Sequence, residues 1–418
     1  MISVEAALQR VLEQVEQLPP EEAPLLETLG QVLAEDVVAH LDVPPLDNAA
    51  MDGYAVRAAD TTAADEHSPV SLRVIADLAA GYTTDIVVGP GTAIRIMTGA
   101  PLPAGADAVV QFEHTDEGRR VNPRLEPARR ENVAILVPAK SGLNVRRAGE
   151  DIRAGQVVLR RGTALRPAEL GVLASLGRST ALVYRRPLVA VLSTGDELVP
   201  LGQPLRPGQI YNSNSYAIAA QVRRTGGVPL LLGIARDLPE ELIARLHEAR
   251  RADLLITTGG VSMGDFDVVK NVLASEGEVT FWRVRMKPGK PLAFGRIGPT
   301  PHLGLPGNPV SAMVTFEMFA RPAILKMMGK GNYRKPSVRA TLEQGARNTD
   351  GRRVYLRAYV RKVGDDFVAS LTGPQGSHIA TSMTGANGLA ILPEDAAEVR
   401  PGERVQVLML DWPEDENL

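Results

Sequence analysis

At 418 residues the chain is long enough for two to four domains, taking roughly 150 residues for each, so a single small module is excluded. Its 46 basic and 49 acidic residues leave a formal charge of −3, and adjacent arginine pairs, Arg119/Arg120, Arg146/Arg147, Arg223/Arg224 and Arg352/Arg353 among them, are scattered. That distribution argues against nucleic acid as a partner. The absence of cysteine excludes disulfides, thiolate zinc sites, iron–sulfur ligation and cysteine nucleophiles.

In residues 3–17 the apolar positions Val4, Ala7, Leu8, Val11, Leu12 and Val15 recur at helical spacing, with Ser3 placed to cap the helix and Pro19–Pro20 to stop it. These residues carry acidic side chains and no basic stretch followed by an apolar run. No uncharged stretch is long enough to cross a bilayer, so a soluble, cytoplasmic protein without a membrane partner is expected. Residues 43–145 change character: short apolar runs at 71–78, 92–97, 108–112 and 133–137 alternate with turn residues, which predicts a mostly β domain. The charged, glycine-punctuated stretch 145–172 reads as a boundary. From about 186 to 326 strands (187–193, 228–234, 253–257) alternate with helices (216–225, 239–249, 267–275), which predicts a parallel sheet covered by helices. Beyond Gly329 the runs 354–360, 367–371, 388–392 and 403–410 suit a small antiparallel barrel or sandwich.

Three segments of the α/β region share one design, an apolar strand that ends in glycine and polar residues before a helix: 188–198, 254–270 and 302–319. One such turn is an ordinary connection. Three in succession can face one crevice, because the carboxyl ends of parallel strands open onto a common cleft. Glycine there admits close backbone approach, and helix N-termini favour phosphate or another oxyanion. Asn308 and Pro309 fit the cap and first position of the third helix. The turns carry Asp196, Glu197, Asp265 and Asp267, with Asp237 after the next strand. Such carboxylates serve either as helix caps or as ligands of Mg²⁺, which bridges carboxylate to substrate phosphate. The loop 283–295 places Arg283, Arg285, Lys287 and Lys290 beside a strand, which suits a polyanion, although a solvated basic hairpin would look the same. Neither a P-loop nor a dinucleotide fingerprint is present, and the six His show no metal-ligand spacing. The stretches 44–60 and 95–113 read as turn-rich loops, and Arg146, Arg147, Glu150 and Asp151 as a surface ion-pair cluster.

Taken in order, DNAAMDGYA, RIMTGAPLPAGADAVV, RRAGEDI, STGDEL, GQIYNSN, TTGGVSMGDFD, KPGKP and GLPGNPVSA resemble the molybdopterin molybdenumtransferase (MoeA, gephyrin E-domain) family across nearly the whole chain. The resemblance implies a multidomain α/β plus β fold. It comprises an N-terminal helix (1–21) packed on a three-layer α/β domain with a parallel-rich sheet (173–328), a small linking domain (22–46 and 145–172), an inserted β-rich domain (47–144) and a C-terminal β-barrel (329–418). It implies a Mg²⁺-dependent insertion of molybdate into adenylylated molybdopterin with release of AMP. The molybdenum would be held by the pterin dithiolene, so the lack of cysteine is no objection. It also implies a homodimer with its cleft between subunits, where Asp52, Thr98, Arg146 and Asp151 would act, and contact with the molybdopterin adenylyltransferase or with acceptor enzymes. By the same resemblance Asp267 and Glu197 are the metal and catalytic carboxylates, with Asp52, Asp151 and Lys287 also catalytic. Asp196, Asp237, Gly259, Gly260, Ser262, Arg283, Pro306, Pro309 and Ser377 would bind substrate. Adenylylation by the α/β domain itself, a peptide-binding scaffold, and tungstate in place of molybdate are the competing expectations.

Overall fold

The computed structural model describes residues 1–118, 131–236, 238–260 and 268–412. The chain separates into two compact units, one made of 1–34, 162–166 and 181–418, the other of 35–161 and 167–180.

The first unit is built on a six-stranded sheet in the spatial order Val228–Ala235, Leu188–Thr194, Leu254–Thr258, Thr300–Leu305, Pro291–Ile297, Gly277–Arg283. The first four strands run parallel and the last two are antiparallel additions. Side chains alternate across a strand, and both faces here are covered. Val189 and Val191 pack with Ile218 and Val222 of the helix Ser213–Thr225 and with the N-terminal helix Val4–Glu13. Ala190 and Leu192 point the other way, onto Leu242 and Leu246 of the helix Pro239–Ala249. The two crossovers that leave the strand Leu188–Thr194 and its neighbour therefore lie on opposite faces. This opens a crevice at the carboxyl ends of Leu188–Thr194 and Leu254–Thr258, where the strand order reverses.

The expected first helix ends early, at Glu13, although Val15 still enters the same core. Its cap is as read: the Ser3 hydroxyl accepts from the amide of Ala6 at 3.1 Å. The helix from Pro309 runs to Met327 through one π-helical turn at Phe316–Ala320.

The C-terminal strands close on themselves. Arg353–Val363, Asp366–Leu371, Ser337–Leu342, Arg404–Met409 and Gly388–Leu392 form a ring, because Arg353–Val363 also pairs with Gly388–Leu392. The ring is not wholly antiparallel, since Ser337–Leu342 and Asp366–Leu371 run parallel. Val354, Leu356, Ala358 and Val360 fill its interior. Met286–Lys287 pairs in parallel with the start of Arg353–Val363, which fastens the basic loop to the barrel.

The second unit holds a five-stranded sheet in the order Ala108–Gln111, Gly53–Val56, Thr92–Ile96, Val70–Leu78, Asn132–Ile135. Gly53 sits where a Cβ would lie 2.0 Å from the Val110 carbonyl oxygen. The neighbouring Tyr54 is fully buried and donates its hydroxyl to Glu117 at 2.7 Å. Much of the DNAAMDGYA segment is thus core.

Candidate functional site

Two adjoining cavities of the first unit meet over Gly259, Gly307 and Asn308. The floor is a buried polar network that ties two strand ends to the next helix. The Ser193 hydroxyl donates to Asn212 Oδ1 at 2.9 Å and lies 2.8 Å from the hydroxyls of Ser215 and Thr258, while Asn212 Nδ2 donates to Ser215 at 2.9 Å. Every member has a partner, so the network fixes one geometry. Gly259 has φ +91°, and a Cβ on it would stand 2.6 Å from the Thr194 carbonyl oxygen and 2.9 Å from its hydroxyl. Only glycine permits that approach between the two strand ends.

The first cavity, about 560 Å³, is lined by Thr194, Glu197, Tyr211, Asn214, Thr258 and Pro309, among others. Among its described lining residues Glu197 is the only carboxylate, and it is exposed. The second, about 640 Å³, has five cationic side chains and no carboxylate among its described lining residues: Lys287 and Lys290 from the basic loop, and Arg347, Arg352 and Arg357 from the barrel. Gly260, Pro306 and Ser377 also line it. Asp350 restrains two of the cations, pairing with Arg352 and standing 3.8 Å from Lys287. The Arg352 guanidinium holds the Asp350 carboxyl below its usual range. Lys290 and Arg347 have no acidic partner among the described residues.

Arg357 is the decisive side chain. It is 0 % exposed, and its nitrogens donate only to neutral oxygens: Ser382 Oγ at 3.1 Å, the Gly376 carbonyl at 3.2 Å and the Tyr355 carbonyl at 3.4 Å. Burial alone lowers its pKa to about 10. A buried charge without a counter-ion is costly unless an opposite charge is supplied, and here it faces a pocket of further cations.

Asn308 stands at the cap position, but its carboxamide does not cap its own helix. Nδ2 donates instead to Ser377 Oγ at 3.1 Å, and the Ser377 carbonyl accepts from the Val310 amide at 3.1 Å. The barrel loop thereby takes over the start of the helix. Across the cleft floor, Asn214 donates to the Gly307 carbonyl at 2.7 Å.

The structure thus brings together Glu197, Gly259, Gly260, Lys287, Pro306, Pro309 and Ser377. Asp196 is exposed on the same turn as Glu197 but lines neither cavity. Arg283 lies at the end of the outermost strand, exposed, with its carbonyl accepting from the Ile2 amide, and lines neither cavity. Asp237, Ser262, Asp265 and Asp267 fall outside the described residues, and among the described ones no three acidic or His side chains gather as a metal cage.

Asp52, Thr98, Arg146 and Asp151 belong to the second unit. Asp52 accepts the Thr98 amide at 2.6 Å and the Thr98 hydroxyl at 2.7 Å, and these bonds hold its carboxyl below the usual range. The expected ion-pair cluster is rearranged: Arg147 pairs with Asp47 at 2.6 Å, Glu150 accepts the Arg147 amide at 2.9 Å, and the Arg146 and Asp151 side chains are exposed without a described partner.

Family models place the chain. The MoeA N-terminal region (domain I and II) matches residues 2–177, the probable molybdopterin binding domain 190–326, and the MoeA C-terminal region (domain IV) 339–410. Molybdopterin molybdenumtransferase 2 of Mycobacterium tuberculosis is 42% identical, over 97% of this chain and 99% of its own. The chain belongs to the molybdopterin molybdenumtransferase family. A molybdopterin molybdenumtransferase of a Nostoc species is 41% identical, over 91% of this chain and 86% of its own. The crystal structure of the molybdopterin biosynthesis MoeA protein of Pyrococcus horikoshii is 35% identical, with a TM-score of 0.80, and covers 99% of this chain and 100% of its own.

The two cavities fall in the molybdopterin-binding and domain IV segments of this family. Within that frame, spacing alone missed Arg347, Arg352 and Arg357. Arg352 was one of the scattered arginine pairs. Arg357 could have been flagged as the lone charge inside the apolar run 354–360.

Proposed function

We propose that the chain is a molybdopterin molybdenumtransferase that inserts molybdate into adenylylated molybdopterin and releases AMP. The observation that carries this reading is the buried, counter-ion-free Arg357 in a pocket with four more cations. Such a pocket is made for a multiply charged oxyanion, and the adjoining cavity at the strand-order switch has room for the pterin nucleotide.

Lys287, Lys290, Arg347, Arg352 and Arg357 hold phosphate and molybdate oxygens, and the guanidinium forks orient them. The Ser193 network and Gly259 fix the distance between the two cavities, so the reacting groups are held rather than searched for. Mg²⁺ is usually bound through one or two carboxylates plus substrate phosphates, and Glu197, a single exposed carboxylate beside a phosphate-binding pocket, suits that mode with Asp267 as its companion. A divalent ion held by these carboxylates would supply neutralisation of phosphate charge. Asp52, Thr98, Arg146 and Asp151 reach the substrate from a second copy of the chain in a homodimer. Their exposure, and the absence of described partners for Arg146 and Asp151, support that role. Among the described residues no helix is long and apolar enough to cross a membrane, in keeping with work in the cytoplasm beside the enzymes that adenylylate molybdopterin and accept the finished cofactor.

The test is incubation of the purified chain with adenylylated molybdopterin, Mg²⁺ and molybdate, following AMP and pterin-bound metal. Molybdate-dependent AMP release with metal on the pterin is the expected result. An adenylate that binds and stays intact would overturn the reading.

A further inference from the structure

A second cationic cavity, about 400 Å³, lies elsewhere in the first unit, between the helices Ser213–Thr225 and Arg321–Met327 and the end of the barrel strand Arg404–Met409. It shares no lining residue with the two cavities of the candidate site. Its described charges are Arg224, Arg321, Lys330 and Lys335 against Glu317 and Asp411, a surplus of two positive charges.

The carboxylates are already committed. Glu317 accepts from Lys335 at 2.6 Å and from Gln221 at 3.0 Å, and Asp411 pairs with Arg224 at 3.1 Å. Arg321 stands 3.9 Å from Glu317 and donates to the Tyr333 carbonyl at 2.9 Å. The Lys330 ammonium has no hydrogen-bond or ion-pair partner among the described residues. Burial makes Arg321, Lys330 and Lys335 less basic than usual, and for Lys330 the nearby Arg186 and Arg321 add to the effect. A fold that gathers like charges around a half-buried, unpartnered ammonium works against itself unless an anion completes the set. Trp412, 42 % exposed, also lines the cavity, with its ring in a T-shaped contact with Phe367. It offers an aromatic face next to the charges, and the cavity volume falls within the roughly 300–1,000 Å³ of small-molecule sites.

We propose that this cavity is a second anion site which binds a phosphate monoester, its dianion matched to the two surplus charges and contacted by Lys330 and Arg321, with Trp412 flanking the esterified group.

The test uses the full chain carrying Trp282→Phe, which leaves Trp412 as its only tryptophan, titrated with inorganic phosphate at constant ionic strength. A saturable change in Trp412 emission is expected. Lys330→Glu should weaken it about tenfold or more, the effect of losing one charge-assisted hydrogen bond, and Lys287→Ala should leave it in place. Lys330→Ala should keep the thermal midpoint of the parent, since the ammonium bonds to none of the described residues. No saturable change, an equal response in Lys330→Glu, or a lower midpoint for Lys330→Ala would each overturn the proposal. So would a response that appears only when residues 413–418 are deleted, since that would assign the cavity to the chain's own acidic end, Glu414, Asp415 and Glu416. A chain that fails to insert molybdate yet binds phosphate here would leave this site standing while the proposed activity fell.

Discussion

Arg357→Met separates an anion ligand from a structural strut. Burial brings the guanidinium down to about 10, so keeping it charged at pH 7 costs the fold about 3 kcal/mol. Methionine of similar length removes that cost. Against this, the Gly376 carbonyl loses one of its two donors, keeping the Ile379 amide at 3.3 Å, and the Tyr355 carbonyl loses its contact at 3.4 Å, together about 1–3 kcal/mol. Ser382 loses little, because its hydroxyl already donates to the Ile379 carbonyl at 2.7 Å. The two effects cancel to within about 2 kcal/mol, and the apparent unfolding midpoint of the variant should stay near that of the parent. Binding has no such compensation. Losing one charge-assisted bond to an oxyanion costs about 1.5–3 kcal/mol, or roughly 10- to 150-fold in affinity. Calorimetric titration with molybdate, beside a thermal melt, reads both quantities. A midpoint that drops by many degrees with molybdate affinity unchanged would make Arg357 a strut for the 373–382 loop and remove the main support for the oxyanion pocket.

Gly259→Ala forces a Cβ to 2.6 Å from the Thr194 carbonyl at φ +91°. We expect a folded protein destabilised by about 1–3 kcal/mol with AMP release down at least tenfold, and an alanine variant of parental activity would show that the two strand ends need no fixed spacing. Asp52→Asn should cost stability only while the carboxyl is ionised. Its folded-state pKa is depressed by the Thr98 amide and hydroxyl, so the gap between parent and variant is full above the unfolded carboxyl pKa and closes as pH falls through the lower folded value. Denaturant melts at several pH values should trace this, and a gap that widens in acid would contradict it. Chains carrying Asp52→Ala and Lys287→Ala are each expected to be inactive, but co-expressed they should recover part of the parental activity, because in the proposed homodimer a mixed pair would hold one intact site. Absence of recovery in a purified mixed dimer would place both residues in a site within one chain.

The layers were legible because periodicity reports them directly. Val189 and Val191 go to one face and Ala190 and Leu192 to the other, which is what a continuous apolar run closing on glycine implies. The meeting of the 194–197, 258–260 and 306–309 turns was legible from topology alone. The three barrel arginines were not. In Arg353–Val363 the alternation says that Arg357 faces away from Val354, Leu356, Ala358 and Val360, and an outward arginine on a barrel reads as solvated. Alternation assigns a face and is silent about what covers it. Here Tyr355, on the same outer face, enters the core of the α/β layers. The side-chain partner of Asn308 was hidden for a similar reason: a cap position predicts a local bond, and the bond formed is to Ser377, 69 residues away.

The strand that carries Arg357 is paired on both sides, by Asp366–Leu371 and by Gly388–Leu392. A slip of one residue would exchange its two faces and turn the guanidinium into the apolar interior. In an open sheet an outer strand can drift in that way, but a closed ring has no outer strand, and a shift of this strand must break the ladders on both of its sides at once. The aim of the cation is therefore set by closure of the ring, which grips its strand from both sides and lets it turn only when both ladders open together.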